Sequence, residues 1–202
     1  MPEEHTPSDE QLVKDLRRGD ESAFRTLVSR HHDDLIRFLT RLVGDRTAAE
    51  DVFQETFLQV YVSSDTFDVT RRFRPWLFTI AANKGRDHLR KKGRRRMVEL
   101  SAPVGGGDSG RPASFVDLME VDIPAPDAAL DRAEQDQKVQ EALDALQPAL
   151  KEILLLAYFQ RLSYAQIADE LGIPLGTVKS RLHAAVAQFA RHWQRVSRDA
   201  RE

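Results

Sequence analysis

Apolar residues in this chain recur every three or four positions, and that periodicity restricts the fold to helices. Phe24, Leu27, Val28, His31, Leu35, Leu39 and Leu42 fall on one side of a helix that begins after Asp20. The alternating runs and tight-turn dipeptides of a sheet protein are missing throughout, so an all-α fold is expected. A short helix is predicted over Asp9–Arg18. Thr47 and Glu50, spaced as a capping box, predict the start of another that runs to about Tyr61. Pro75 suits the first turn of a third long helix reaching about Lys92. Further helices are predicted over Ala128–Leu146 and Pro148–Gln160, followed by a closing pair. No internal repeat is visible.

The helical period is lost between Ser101 and Pro126, where Gly105, Gly106, Gly107, Pro112, Pro124 and Pro126 gather. That composition reads as a flexible tether. The expected organisation is a helical domain over residues 1–98, a linker over 99–127 and a second helical domain over 128–202. No core packing is expected across the linker.

Charge is nearly balanced over the 202 residues, at −2, but unevenly placed. Residues 71–96 carry eleven bases and one acid, a net of +10, and residues 173–202 carry a net of +4. The stretches 45–68 and 101–136 carry −5 and −6. Two basic blocks set between acidic ones point to two contacts with a polyanion, foremost nucleic acid, though solvated helix faces would share the pattern. Cysteine is absent, which excludes disulfides and the common zinc frameworks. No stretch approaches the roughly 18 apolar residues of a spanning helix, and the first residues lack a signal-peptide pattern. A cytoplasmic protein without membrane insertion is expected. His31, His32, Asp33 and Asp34 diverge by about 100° per residue on a helix and cannot converge on a metal, so neither metal nor cofactor is expected.

The segment SYAQIADELG, residues 163–172, opens with Ser163 and Gln166 as a capping box. Tyr164, Ile167, Ala168 and Leu171 share one face, and Gly172 can take the left-handed conformation that ends a helix. After the turn Ile173–Leu175, a second helix should begin near Gly176 or Thr177. This is the layout of a helix-turn-helix, whose second helix enters the major groove. Val178, Leu182, Ala185 and Phe189 should face the core, leaving Gly176, Lys179, Ser180 and His183 outward, with Thr177 beside them at the helix start. Lys179 can donate to guanine or phosphate and Ser180 can bond either. Arg181, on the flank, suits a phosphate or a salt bridge to Glu170. His183 suits DNA or solvent equally.

The string SYAQIADELGIPLGTVKSRLH resembles region 4 of bacterial RNA polymerase sigma factors, particularly the small extracytoplasmic-function (ECF) group. LuxR-type regulators carry similar strings, so the N-terminal half decides between them. AEDVFQETFLQVY, residues 49–61, resembles sigma region 2.2. By spacing, Ala49, Phe53, Thr56, Phe57 and Val60 form its buried stripe, while Asp51, Gln54, Glu55 and Leu58 run along the opposite side. A leucine exposed among acids suits a basic partner surface, or a plain solvated face. The resemblance implies that this stripe docks on the coiled-coil clamp of the largest polymerase subunits.

FRPWLFTIAANKGRDHLRKKGRRR, residues 73–96, resembles regions 2.3 and 2.4, which open and read the −10 promoter element. Thr79, Asn83, Arg86 and Arg90 fall on one polar stripe, with Trp76, Leu77 and Ile80 on the inner side. Asn and Arg bond base edges, and Lys91, Lys92, Arg94, Arg95 and Arg96 can hold phosphates. In related sigma factors the preceding loop, here Ser63–Arg74, forms a pocket for a base flipped from the non-template strand. Phe67 is the candidate to stack on it, with Phe73 assigned to the core; one sequence does not choose between them.

The resemblance covers roughly residues 9–96 and 137–192. Two features depart from it: Ala184 and Val186 stand where relatives often carry arginine, and the linker is longer and richer in glycine than the shortest examples. It implies a non-enzymatic, dissociable polymerase subunit that reads double-stranded −35 and single-stranded −10 DNA. An anti-sigma partner is frequent in the family, and nothing in the sequence requires one. The competing reading is a free-standing helix-turn-helix regulator, which would bind duplex DNA without polymerase.

Overall fold

The computed structural model describes residues 7–95 and 129–199, with the side chains of 93–95, 129–134, 159 and 199 left aside. The expected linker, 99–127, and Arg96 lie outside the described residues. Among those described there are helices and no strands: α1 (Asp9–Arg17), α2 (Glu21–Val43), α3 (Arg46–Ser63), α4 (Phe73–Arg95), α5 (Ala129–Asp144), α6 (Pro148–Leu154), α7 (Tyr164–Leu171) and α8 (Leu175–Asp199). A 3₁₀ turn over Ser64–Thr66 follows α3, and a π-helical turn over Leu155–Phe159 prolongs α6.

Helix α2 is the axis of the first half. Asp20 caps it by accepting from the Ser22 N–H at 2.8 Å, and Gly44, at φ +78°, ends it in the left-handed conformation that glycine adopts without strain. Asp45 then caps α3 at once, accepting from the Ala48 N–H at 2.7 Å. The expected Thr47–Glu50 capping box is therefore replaced. Asp is the stronger cap, and Glu50 pairs with Arg46 one turn away instead, at 3.2 Å. With only Gly44 and Asp45 between them, α2 and α3 fold back on one another and bury Leu27, Leu35, Phe38, Leu39 and Leu42 against Val52, Phe57 and Val60. α4 closes the bundle with Phe73, Leu77, Phe78, Ala81 and Ala82, and the Phe38 and Phe78 rings meet edge to face at 5.3 Å. Each fully buried Leu or Phe contributes about 1.5–3 kcal/mol relative to exposure.

The second half builds around α8, which packs against α5, α6 and α7. Leu143, Leu146, Leu150, Ile153, Leu156, Leu162 and Ile167 meet Val178, Leu182 and Ala185 in the interior. Pro148 opens α6, where its missing N–H leaves no bond unmade.

The two halves do not stand apart, which corrects the expectation of no packing across the linker. α4 packs on α7, α2 meets the π-helical turn, and the buried apolar cluster is continuous between halves. Arg41 of α2 pairs with Asp136 of α5 at 2.6 Å, and the Gln140 amide donates to the Arg41 carbonyl. The reason is compositional. Leu154, Leu155 and Leu156 form a run apolar all round, and such a run needs cover on every side.

Gly85 marks the closest approach of α4 to α2: a Cβ there would lie 2.6 Å from Leu42 Cδ2, and Leu42 is itself buried. Gly85→Val should therefore destabilise the chain by about 1–3 kcal/mol through overpacking, although glycine is the poorer helix former. Urea unfolding compared with the wild-type chain measures it.

Candidate nucleic-acid interface

α3 is held by one face, and its opposite face is open. Ala49, Val52, Thr56, Phe57 and Val60 are buried, with the Thr56 hydroxyl satisfied by the Val52 carbonyl at 2.7 Å, and Phe53 is half-buried. Asp51, Gln54, Glu55 and Leu58 are all exposed, as the spacing predicts. The exposed face continues past them. Leu58, Tyr61 and Val62 are 65%, 54% and 68% accessible. Tyr61 and Val62 were missed in the sequence because the stripe was ended at Leu58, yet they sit three and four residues on and share its side. The open face thus has an acidic N-terminal part and an apolar C-terminal part.

α4 presents its polar stripe unevenly. Asn83, Arg86, Arg90 and Lys91 are exposed. Arg90 pairs with Asp87 at 3.0 Å, and Arg86 forms a two-pronged bond to Glu152 of α6, at 2.5 and 3.3 Å. Thr79 is only 6% accessible and cannot touch DNA in this arrangement, which corrects its assignment as a contact. Its place on the stripe follows from spacing, but α4 sinks toward the bundle at its N-terminal end, where Leu77, Phe78 and Ala81 are buried on both sides of it. Arg94 and Arg95 lie on the last turn of α4.

The loop before α4 is structured rather than slack. The Arg17 guanidinium of α1 donates to the Ser64 carbonyl at 2.8 Å and to the Phe67 carbonyl. The Glu10 carboxylate accepts from the Phe73 N–H at 2.9 Å, which caps α4 from another helix. Asp68 accepts from both the N–H and the hydroxyl of Thr70, and these bonds hold its carboxyl below the usual range. Phe67 is 5% accessible, its ring 4.6 Å from Trp76 and edge-on to Phe73 at 5.9 Å. This corrects Phe67 as a stacking platform: its face is already covered by Trp76. Phe73 is fully buried, as assigned. Arg71 and Arg72 of the loop are exposed, and the Arg74 guanidinium lies 4.9 Å from the centre of the Phe78 ring.

In the second half, the Ser163 hydroxyl accepts from the Gln166 N–H at 3.2 Å and the Gln166 side chain accepts from the Ser163 N–H at 2.8 Å. The capping box of α7 is complete. Gly172, at φ +63°, ends α7, and Pro174 starts α8 by accepting from the Thr177 and Val178 N–H groups. Hence α8 begins at Leu175, one or two residues earlier than predicted. Val178, Leu182 and Ala185 are buried, while Phe189, half-buried, stacks on Trp193. Lys179, Ser180 and His183 are exposed, with Thr177 and Arg181 half-exposed at their flanks. Glu170 pairs with Arg71 of the first half, so the bridge to Arg181 considered from the sequence is not the one formed.

Similarity to characterised proteins follows the same division. Residues 27–95 match the model for sigma-70 region 2, and residues 136–189 match that for sigma-70 region 4. The ECF RNA polymerase sigma factor SigW of Bacillus subtilis is 32% identical over 171 residues, covering 85% of this chain and 89% of that protein. The chain belongs to the ECF group of sigma-70 factors. The sigma-H factor of Pseudomonas aeruginosa is 33% identical over 194 residues, 95% of this chain and 97% of the relative. CnrH, solved in complex with the cytosolic domain of CnrY, superposes with a TM-score of 0.64 at 25% identity, covering 92% of this chain and 96% of CnrH. The Bartonella quintana sigma factor RpoE, solved with the anti-sigma factor NepR, shares the fold at a TM-score of 0.61 and 23% identity, covering 85% of this chain and 96% of RpoE. As an ECF sigma factor the chain directs promoter-specific transcription initiation.

Within this ECF factor the burial of Phe67 has a measurable consequence. Phe67→Ala should lower stability by about 3–5 kcal/mol, read by chemical denaturation of the free chain. A ring kept only for base stacking would leave stability unchanged.

Proposed function

We propose how the work of initiation is divided over the surface of this sigma factor. The open face of α3 is the polymerase-docking surface: Asp51, Gln54 and Glu55 meet basic groups of the largest-subunit clamp, and Leu58 fills an apolar site among them. The separation of Asp51 from Leu58, about 10.5 Å along the helix, suits two turns of a partner helix. A patch acidic at one end and apolar at the other gains both steering and burial on contact. That single face, with Asp51, Gln54, Glu55 and Leu58 all exposed on a helix whose other side packs into the bundle, carries the reading.

α4 reads the −10 element. Asn83 and Arg86 bond base edges, Arg90 and Lys91 flank them, and Arg94 and Arg95 grip phosphates without choosing sequence. α8 reads the −35 element in the major groove through Lys179 and Ser180, with Thr177, Arg181 and His183 on neighbouring base or phosphate positions. The units that move are residues 1–98 and 128–202, tethered by 99–127. No catalytic residue enters this scheme: the bonds made and broken in RNA synthesis belong to the polymerase. The protein acts in the cytoplasm, on the nucleoid when in holoenzyme. The Bartonella quintana sigma factor RpoE is solved with the anti-sigma factor NepR, which supports an anti-sigma partner here.

Replacing Asp51 and Glu55 together with arginine should abolish association with core polymerase and leave helical content intact, since neither side chain is buried. Co-purification with core and circular dichroism read the two halves of that statement. Unchanged affinity for core would falsify the docking surface. The DNA assignments separate by element. Asn83→Ala should weaken discrimination within the −10 element alone, and Lys179→Ala within the −35 element alone. Each lost base contact is worth about 1–3 kcal/mol, measured by in vitro transcription on promoters substituted one position at a time.

A further inference from the structure

One short helix holds both ends of the loop that leads into α4. Glu10 and Arg17 stand seven residues apart on α1, which places them on one face and about 10.5 Å from one another along the axis. Glu10 accepts from the N–H of Phe73, the first residue of α4, at 2.9 Å. Arg17 donates from Nε to the Ser64 carbonyl at 2.8 Å, and from a terminal nitrogen to the Ser64 and Phe67 carbonyls. Ser64 opens the 3₁₀ turn after α3, and Phe67 closes it. A helix leaves donors unmatched at its N-terminus and acceptors unmatched at its C-terminus. A carboxylate suits the first and a cation the second, and α1 supplies both.

The helix can do this because it is itself fixed. Leu12, Val13 and Leu16 are buried. Asp9, beside Glu10, accepts from Arg30 of α2 at 2.5 Å and lies 2.8 Å from Nε2 of the buried His31. Arg17 is exposed, so its bonds to the loop, and not burial, are what its side chain provides. Between the two attachments the chain offers Asp68, Thr70, Arg71 and Arg72 to solvent, and the Arg71 N–H closes a turn on the Asp68 carbonyl at 2.9 Å. A segment already tied at both ends loses less freedom when it binds a ligand. α1 also lies ahead of the segment 27–95 that matches sigma-70 region 2.

We propose that Glu10 and Arg17 are positioning residues for recognition of the −10 element, with α1 acting as a splint that holds the loop over residues 64–73 in the shape that takes an unstacked base. Neither residue touches DNA; each acts through the loop backbone. The proposal rests on the assignment of α4 and the loop before it to the −10 element. Without the splint the loop visits its binding shape for only part of the time, and the base preference it confers falls by that fraction. Docking through the open face of α3 and −35 reading by α8 use other residues, so both survive the loss.

The test uses holoenzyme assembled from core polymerase and the full chain, transcribing a promoter that the wild-type chain selects, substituted one position at a time. Arg17→Ala should lower base preference about tenfold at the −10 position the loop takes, as for a loop in its binding shape about a tenth of the time, and leave −35 preference within about twofold. Glu10→Ala should act at the same position. Glu10→Gln, which keeps an oxygen for the Phe73 N–H, should fall between Glu10→Ala and wild type. Arg18→Ala removes the same charge as Arg17→Ala from an exposed neighbour that pairs within α1, with Asp15 at 3.3 Å, and should keep both preferences. Intact −10 preference in Arg17→Ala, beside a weakened one in Asn83→Ala, overturns the splint and leaves the −10 assignment standing. Loss of −10 and −35 preference together, or of association with core, means that α1 acts through the fold as a whole and overturns the proposal as well. Silence of both Arg17→Ala and Asn83→Ala removes the −10 assignment, and the splint with it.

Discussion

The packing of α2 determines what every other helix in the first half can offer. Its apolar side takes α3 on one flank and α4 on another, with α1 covering what remains. Once α3 has committed Val52, Phe57 and Val60 to that contact, the remaining face must look outward, and the sequence places Asp51, Glu55 and Leu58 there. Once α4 has committed Leu77, Phe78 and Ala81, its far end is carried out of the bundle with Lys91 and Lys92 exposed. The acidic and basic surfaces are therefore fixed relative to one another by apolar burial. Electrostatics acts on a geometry already set, which is why those surfaces are free to serve partners.

Much of this was legible in the residues. The order of helices, the capping box at Ser163, the left-handed Gly172 and the outward Lys179, Ser180 and His183 follow from local rules, because each depends on residues within one or two turns. What escaped is non-local. Spacing puts Thr79 on a stripe with Asn83, but only the approach of neighbouring helices shows that α4 is buried at Thr79 and exposed at Asn83. Phe67 reads as a loop aromatic, and its burial depends on Trp76 and on Arg17 reaching across from α1 to hold the loop backbone. Asp45 outcompeted Thr47 as the cap of α3 because Gly44 ends α2 immediately before it, a coupling between two helices.

The contact between halves belongs to the same category. Arg71, Arg74 and Arg86 fall within the basic block 71–96, and Glu170 reads as a partner for Arg181. Nothing in either segment alone pairs them. Burial at Glu170 works to raise its pKa, against the nearby Arg71 charge, and the net shift is upward.

Reconstitution is the most direct measure of the central claim, that this chain gives polymerase its choice of promoter. Core polymerase with and without the wild-type chain would be offered a pool of duplex templates randomised upstream of a fixed transcribed region, and the transcripts sequenced. Chain-dependent initiation from templates enriched for two short blocks about two helical turns apart is the expected result. Initiation from the same templates whether or not the chain is present, with no block enriched, would contradict it.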